Sequence, residues 1–281
     1  MPTPRRPDFT RTVFFLETPR GRRFCIATAP LEPPSGTVLY FPPFAEEMNR
    51  SRRMAALAAQ AMAACGWLVL QPDPGGCGDS EGDFGDAAWQ DWVEDMDSAW
   101  GWLAARVPGG RRILWSLRAG SLLVAAWLRG TGLCPDLLLW QPVLDGERHL
   151  RKFLRFELMR LMLAEAASVR PAIAHAWARI EGGEAVEIAG YTLAPLLARG
   201  LKEARFTMPA GYSGRVDMIE VGSKAGAASS PLVSLRDKFA ASGVRASCCK
   251  VAGPSFWQVQ AIGEAPALFE KTLLILDEAR S

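Results

Sequence analysis

The sequence predicts an α/β fold built on a mostly parallel sheet, and three observations support this prediction. Short apolar runs alternate with longer amphipathic segments, which is the pattern of βαβ units. Runs such as residues 137–140 are apolar without alternation, as expected for parallel strands that are buried on both faces. The chain has 281 residues, of which 49% are hydrophobic, and this is enough for a large core.

The first half of the chain contains the clearest alternation. Its predicted strands lie at residues 12–17, 22–28, 37–41, 67–70, 112–115 and 137–140, the first two forming a hairpin. Its predicted helices lie at residues 49–64, 87–106 and 121–128, with Asn49 as the N-cap of the first. Residues 72–85 are rich in Gly and Asp, which predicts an irregular loop.

The alternation stops at Asp145 and resumes near residue 206. The sequence between them is helical in pattern, with no predicted strand of its own. The later elements are a strand at residues 216–221, a helix capped by Ser230, a strand at 245–251 and a helix at 264–279. We therefore predict a core formed by residues 1–145 and 206–281, with a helical lid or cap at residues 146–205.

Composition excludes several classes of protein. The 32 basic and 30 acidic residues give a net charge of +2, so no electrostatic case exists for nucleic-acid binding. Six scattered cysteines, without a CxxC pair or a Cys/His cluster, predict no metal site and a reducing, cytoplasmic location. No signal peptide and no transmembrane segment are predicted. No cofactor is expected.

The order of elements resembles the α/β-hydrolase fold, an eight-stranded, mostly parallel sheet with helices on both faces and a helical lid. Residues 73–82 read DPGGCGDSEG and are similar to the loop after the fourth strand in that superfamily. The chain most resembles the exosortase A system-associated hydrolase 2 family, through residues 41–49, 114–120, 140–143 and 253–257. This resemblance implies a role connected with exopolysaccharide loci and a companion hydrolase as partner.

The resemblance also implies positions for a Ser-His-acid triad, and other residues occupy them. Arg118 stands at the centre of the SLRAG turn, where the superfamily places its nucleophile. Ser255 holds the position of the base. No carboxylate follows the seventh strand of the fold, which leaves Asp145 as the only substitute for the acid. A guanidinium cannot attack a carbonyl, so we do not expect a conventional triad hydrolase.

Arg118 permits two interpretations. At a helix N-terminus, beside the N–H of Ala119, it could bind a carboxylate or phosphate, which predicts a small anionic or acyl-containing ligand. The alternative, which the sequence favours, is a buried ion pair with Glu46, Glu47 or Asp145 that fills the former active site. Two functions follow: an acyl or ester hydrolase with a degenerate site, or a non-catalytic ligand-binding or scaffold partner of an active hydrolase.

The remaining candidates have similar alternatives. Glu46 and Glu47 could act as acid and base. Alternatively, one of them caps the following helix and the other is exposed to solvent. Phe44, Cys77 and Trp257 are expected beside the same pocket, where Cys77 is either a thiolate or, as the sequence favours, a packing residue.

A basic helical face is predicted in the lid. It is formed by Arg148, Arg151, Lys152 and Arg155, and it predicts either a surface for an acidic ligand, lipid or partner, or an ordinary amphipathic helix. His149 and His175 are expected to be lid residues without a catalytic role.

Overall fold

The computed structural model describes residues 8–162, 169–188, 190–259 and 263–278, with the side chains of residues 156–162 and 169–172 left undescribed. Its strands are β1 (Phe9–Thr18), β2 (Gly21–Pro30), β3 (Gly36–Phe41), β4 (Trp67–Pro72), β5 (Arg111–Leu117), β6 (Asp136–Trp140), β7 (Val186–Ile188), β8 (Tyr191–Leu193), β9 (Val216–Gly222) and β10 (Ala246–Ala252).

The helices alternate with these strands along most of the chain. They are α1 (Glu46–Ala64), α2 (Trp89–Arg106), α3 (Gly120–Thr131), α4 (Gly146–Met162), α5 (Val169–Glu181), α6 (Pro195–Glu203), α7 (Ser230–Ala241) and α8 (Pro266–Glu278), with a 3₁₀ turn at Phe84–Asp86. In the described part of the chain, no helix combines the length and the apolar character needed to span a membrane.

Eight strands form one sheet in the order β1-β2-β4-β3-β5-β6-β9-β10. The hairpin of β1 and β2 is antiparallel and joins β4 in antiparallel register, while all the other neighbours are parallel. The predicted mostly parallel, eight-stranded sheet is therefore confirmed. Because the parallel strands run in the same direction, their carboxyl ends lie at one edge of the sheet.

Apolar cores lie on both faces of the sheet. One face packs α1 and α8 against β3 to β6, and its largest buried side chains include Trp67, Trp115 and Trp140. The other face packs α2, α3 and the segment between β6 and β9, around Phe41, Met96 and Trp127. Continuous burial along β3, where all six residues are buried, explains why its sequence is apolar without alternation.

The segment between β6 and β9 contains a hairpin that the sequence did not predict. Strands β7 and β8 pair across Gly190, which has a φ of 84° and so takes a conformation natural for glycine. The expectation of a segment without strands is wrong. Each strand has only three residues, with Val186 and Ile188 buried on either side of an exposed residue, and three residues are too few to show a period of two.

Two predicted helix caps are also wrong. Helix α1 begins at Glu46 after Ala45, three residues before Asn49, whose Nδ2 donates instead to the hydroxyl of Tyr191 at 2.8 Å. Ser229, not Ser230, is the N-cap of α7. Sequence signals locate helix ends only to within a few residues, so shifts of this size are expected.

Candidate functional site

Backbone strain concentrates at the edge of the sheet where the parallel strands end. In the described part of the chain, the non-glycine residues with positive φ are Ala45 at 50°, Arg118 at 54° and Gln141 at 46°. They follow β3, β5 and β6, which are adjacent or near neighbours in the sheet. Strained non-glycine residues cluster at functional sites, so this edge is the candidate site.

The turn from β5 to α3, here called the elbow, holds Arg118 in its strained conformation through several hydrogen bonds to its backbone. The N–H of Arg118 donates to the carbonyl of Trp140 at 3.0 Å, and its carbonyl accepts from the N–H of Val143 at 3.2 Å. The Ser121 hydroxyl donates to the same carbonyl at 2.8 Å. A Cβ at Gly120 would collide with the carbonyl oxygen of Phe41. The elbow is thus a rigid turn from strand to helix that aims one side chain out of the sheet.

Glu47 is the carboxylate that pairs with Arg118. The Arg118 Nε lies 3.2 Å from each Glu47 carboxylate oxygen, and Nη2 lies 3.1 Å from Oε1. The two side chains are only 10% and 16% exposed. A guanidinium in such a place needs a carboxylate partner, and this pair meets the expectation stated for Glu46, Glu47 or Asp145.

The other two carboxylates have different partners. Glu46 accepts from the Arg50 Nε at 3.2 Å and from the hydroxyl of Tyr191 at 3.0 Å. Asp145 accepts from the backbone N–H of Arg148 at 2.9 Å and lies 3.5 Å from the guanidinium of Arg205. Asp145 therefore caps the start of α4, and only Glu47 engages the elbow.

A small, largely enclosed cavity of about 40 Å³ opens beside this ion pair. It is lined by Glu46, Glu47, Arg50, Arg118, His149, Lys152, Phe153, Trp257 and Gln258. Two buried polar atoms in its wall, His149 Nε2 and Trp257 Nε1, have no hydrogen-bond partner in the described part of the chain. Buried polar atoms normally have partners, so these two side chains carry unused hydrogen-bonding capacity.

His149 is neutral at physiological pH. It is 6% exposed, and burial lowers the pKa of its imidazole from 6.5 to about 4. Glu47 raises this pKa, while the charges of Arg118 and Lys152 lower it further. The ring packs edge-on against Phe44, with 6.3 Å between ring centroids. A neutral imidazole offers one donor and one acceptor, so His149 can bind either kind of ligand atom.

A larger, more open groove of about 470 Å³ lies on the other side of the same side chains. It shares Arg118, His149 and Lys152 with the small cavity and adds Pro142, Val143, Leu144, Asp145, Arg148, Glu220, Ser229, Pro231 and Leu232. Glu220 accepts a hydrogen bond from the backbone N–H of Ser229 at 2.6 Å. A carboxylate of the protein therefore already occupies the N-terminus of α7, where an anion is favourable. The groove combines apolar walls with cationic side chains at one end.

The predicted site residues divide into two groups. Arg118, Glu46, Glu47 and Trp257 line the small cavity, and the guanidinium carbon of Arg118 lies 5.6 Å from the centre of the Trp257 ring. The structure places the others outside it: Phe44 and Ala119 are buried in the core, Asp145 lines only the groove, and Ser255 and Cys77 line neither.

Cys77 is a packing residue in the Gly-rich loop. Burial raises the pKa of its thiol far above the ordinary value, and nearby Asp73 raises it further. A thiol in this state supplies no thiolate at neutral pH, so the structure argues against a nucleophilic role.

Sequence reasoning missed five residues of the small cavity. These are Arg50, His149, Lys152, Phe153 and Gln258. His149, Lys152 and Phe153 are spaced i, i+3 and i+4 on α4, so one helical face presents all three to the site. This spacing was visible in the sequence, but the direction of that face was not. His175, by contrast, is exposed on α5.

A second buried ion pair joins β2 to α2 beneath the Gly-rich loop and does not line the cavity. Arg23 Nε lies 2.7 Å from Asp95 Oδ1, with both side chains at most 4% exposed. The other oxygen of Asp95 accepts from the N–H of Gly75 at 2.8 Å, and Gly75 in turn accepts from the Trp92 indole. This pair fixes the loop to β2 and α2.

The profile of the serine aminopeptidase family S33 matches residues 32–178, slightly more than half of the chain. The chain belongs to this family. S33 proteins are part of the α/β-hydrolase superfamily, and the architecture described above is the α/β-hydrolase fold. In this family member the elbow carries Arg118, and no group of three or more metal-binding side chains is assembled in the residues that the structure describes. A search of curated proteins gives no significant match.

Solved structures with the same fold align over almost the whole chain. Est1E from Butyrivibrio proteoclasticus, solved with ferulic acid, is 14% identical, with a TM-score of 0.66 over 94% of this chain and 98% of that one. A thermostable carboxyl esterase from Bacillus coagulans, solved with glycerol, is 13% identical, with a TM-score of 0.55 over 97% and 99%. Mouse α/β hydrolase domain-containing protein 10 is 12% identical, with a TM-score of 0.52 over 95% and 98%. At these identities the likeness concerns the fold.

Proposed function

We propose that this S33-family chain is a ligand-binding pseudo-hydrolase that takes a small monoanion at the elbow. One observation carries the proposal: the elbow side chain is a guanidinium, fixed by Glu47, in a cavity whose wall holds two unpartnered polar atoms. The hydrolase elbow has thereby become a recognition site, because Arg118 can bind a carboxylate but cannot form an acyl-enzyme.

The charges around the small cavity match one negative charge. Arg50, Arg118 and Lys152 are opposed by Glu46 and Glu47, and the neutral His149 adds none. One cation is left in excess, and Lys152 reaches the cavity from α4 without a partner among the described ion pairs. A carboxylate balances this charge, so it suits the site better than a doubly charged phosphate monoester.

The donors that remain around Arg118 also suit a carboxylate. Glu47 engages Nε and Nη2 of the guanidinium, and Nη1 remains for a ligand in the described part of the chain. The Trp257 ring lies beside the guanidinium, 5.6 Å from its carbon, and gives it an aromatic neighbour. The groove next to Arg118, whose lining mixes polar and apolar side chains, has room for the body of the ligand, which is an acyl chain or a sugar ring.

The two cavities contain no suitable nucleophile among the residues described. Ser229 is the one hydroxyl-bearing residue in their linings, and its Oγ donates to Glu220. A second candidate function is nevertheless favoured by His149, whose neutral ring could accept a proton from a water that adds to an ester carbonyl and return it to the leaving alkoxide. This is the form in which an acyl or ester hydrolase could operate here.

Further parts of the proposal concern the setting of this site. We infer that residues 146–205 act as a lid on a core formed by residues 1–145 and 206–281, since α4 supplies His149 and Lys152 to both cavities.

An exosortase-associated role in exopolysaccharide metabolism, with a companion hydrolase, rests on the motifs quoted above. A cytoplasmic location is supported by the six free cysteines.

Titration calorimetry at constant ionic strength tests the binding proposal with glucuronate, butyrate and uncharged glucose as probes. We expect glucuronate or butyrate to bind, glucose to bind at least tenfold more weakly, and Arg118→Met to lose the anion. Arg53→Met is the matched control, because Arg53 pairs with Glu264 on the surface of α1. Equal affinity for glucose, or binding that survives Arg118→Met, contradicts the proposal. Stoichiometric labelling of one serine by a fluorophosphonate would show a serine hydrolase instead.

A further inference from the structure

Strand β1 leaves an open, partly apolar edge on the sheet. It has ten residues and hydrogen-bonds only to β2 among the described strands. Val13 is 55% exposed and Phe15 is 46% exposed, on the same face of the strand. The opposite edge differs, because an antiparallel bridge between Gly226 and Lys250 covers part of β10. Long, exposed and apolar edges attract other strands, and proteins usually cover them.

The backbone groups that face this open edge can be identified. In β2, the carbonyls of Arg22 and Phe24 accept from the N–H groups of Glu81 and Asp73, on the side away from β1. The alternate residue Cys25, which faces Phe14, therefore bonds to β1. Hydrogen-bonding direction alternates along a strand, so Phe14 is satisfied by β2. The residues of β1 whose N–H and C=O groups point outward are Phe9, Arg11, Val13, Phe15 and Glu17, and the last four are placed symmetrically about Phe14.

We propose that a second copy of this chain pairs with this edge, antiparallel, about a two-fold axis at Phe14. Symmetry then places Arg11 opposite the partner's Glu17, and Val13 opposite the partner's Phe15. Each contact occurs twice, as in any isologous interface. Arg11, Val13, Phe15 and Glu17 thus form two ion pairs at the ends and two apolar pairs in the middle.

Other registers lose this match. Moving the axis to Val13 sets Arg11 against the partner's Phe15 and Glu17 against the partner's Phe9. Moving it to Phe15 sets Val13 against the partner's Glu17. Cross-strand pairs of opposite charge and of apolar side chains stabilise a sheet, whereas a charge facing an apolar residue does not. The sequence of β1 is therefore complementary to itself at one register only among these three.

The dimer would join two sheets into one of sixteen strands, twice the eight of each chain. The paired positions supply roughly eight backbone hydrogen bonds, two for each pair. Phe14 lies at the axis, where its ring already stacks on Trp102 at 4.9 Å between centroids, so the strand is held flat at the centre of the contact. The elbow site lies in the central strands and is not part of this contact, so the inference is independent of the proposed function.

Sedimentation of three purified proteins tests the dimer and its register. We expect the unmodified chain to have twice the mass of its 30.6 kDa monomer at micromolar concentration. Arg11→Glu and Glu17→Arg each set like charges against each other twice, so each variant alone should sediment as a monomer, with at least a tenfold weaker dimer. An equimolar mixture of the two variants should recover the dimer, because both end pairs become attractive again.

Controls separate this result from misfolding and from other interfaces. Glu203→Arg makes the same charge change on the exposed end of α6 and should remain dimeric. Each variant should keep the circular dichroism spectrum of the parent. A monomeric parent overturns the proposal, as do single variants that stay dimeric. A mixture that remains monomeric overturns the register.

Discussion

Two buried arginine–carboxylate pairs, Arg23–Asp95 and Arg118–Glu47, use the same chemistry in different settings. Beside the Gly-rich loop, Asp95 of α2 has both oxygens occupied, one by Arg23 and one by the N–H of Gly75. At the elbow, Glu47 occupies only part of the Arg118 guanidinium, beside a cavity and on a strained backbone. We call Arg23–Asp95 the closed pair, because both carboxylate oxygens have partners within the protein. We call Arg118–Glu47 the open pair, because part of the Arg118 guanidinium keeps unused hydrogen-bonding capacity.

This difference separates structural ion pairs from recognition sites in this fold. A closed pair stabilises only if every polar atom is satisfied, because a buried charge without partners is costly. An open pair gives up some of that stability and keeps donors for a ligand. Of the six buried side-chain atoms without a partner in the described part of the chain, His149 Nε2 and Trp257 Nε1 belong to residues beside the open pair. Four changes test this contrast.

The largest effect is expected from Asp95→Ala in the closed pair. It leaves the Arg23 guanidinium buried without its carboxylate and removes the acceptor of the Gly75 N–H. We expect the free energy of unfolding to fall by about 3–5 kcal/mol, measured by urea denaturation. Asp91→Ala on the same helix removes a more exposed pair with Arg20 and should cost less than about 1 kcal/mol. Equal losses from the two variants would remove the basis of the contrast.

The next effect concerns pH and the neutral histidine beside the open pair. The unfolded chain protonates His149 below 6.5, whereas the folded chain does so only near about 4. The unfolded state therefore binds more protons in this window, so the stability held above pH 6.5 is lost as the pH falls to about 4. The loss attributable to His149 approaches about 3 kcal/mol.

His149→Gln isolates this contribution from the other titrating groups. The difference in unfolding free energy between the parent and this variant should change across pH 4 to 6.5 and be constant above it. A difference that does not vary with pH would mean that the ring is solvated. In that case the cavity is not the enclosed site described above.

A smaller effect is expected from Glu47→Gln in the open pair. The amide keeps a hydrogen bond to Arg118 but removes one negative charge from the cavity. We expect the free energy of unfolding to fall by about 1–2 kcal/mol, less than for Asp95→Ala. Affinity for glucuronate or butyrate should rise by calorimetry, because a second cation becomes uncompensated. Weaker anion binding would indicate that Glu47 itself orients the ligand.

The smallest effect is expected from the double variant Arg118→Ser, Ser255→His. It restores a nucleophile and a base in sequence, but Ser255 does not line the cavity, and Asp145 is committed to the start of α4 and to Arg205. We expect no more than weak turnover of a short-chain ester above the unmodified protein. Losing the acid of a triad alone costs about 10⁴ in turnover. Efficient hydrolysis would show that the open pair had displaced an otherwise complete catalytic site.

The sequence predicts most of this fold because its strands carry local signals. Apolar runs at β3 and β6 and the helical spacing in α2 each depend on a few neighbouring residues. The β7–β8 hairpin was missed because its strands are too short to show a period. The start of α1 was misplaced because no side chain caps it. Ala45 precedes the helix, and Glu46 and Glu47 occupy its first turn.

The candidate site was less predictable, because it depends on how distant elements meet. The elbow could be located from the small residues around Arg118, and the sequence offered Glu47 as one of three partners. His149 and Lys152 could not be assigned, since nothing in the sequence orients α4 over the sheet. Ser255 was placed by analogy with a motif, whereas the residues that line the cavity from that loop are Trp257 and Gln258.

The cavity walls come from two parts of the chain that are far apart in sequence: Glu47, Arg118 and Trp257 from around the sheet, and His149 and Lys152 from α4. A ligand held by both parts favours only those states in which α4 is docked, so it stabilises them by RT ln(1 + [L]/Kd). Ligand binding should therefore slow amide hydrogen exchange in α4. At one hundred times Kd, the openings that release this helix should become about a hundredfold rarer, while exchange in the edge strand β1 stays unchanged. Amide exchange in α4 thus reports ligand binding, although the ligand contacts only the side chains of this helix and not its backbone.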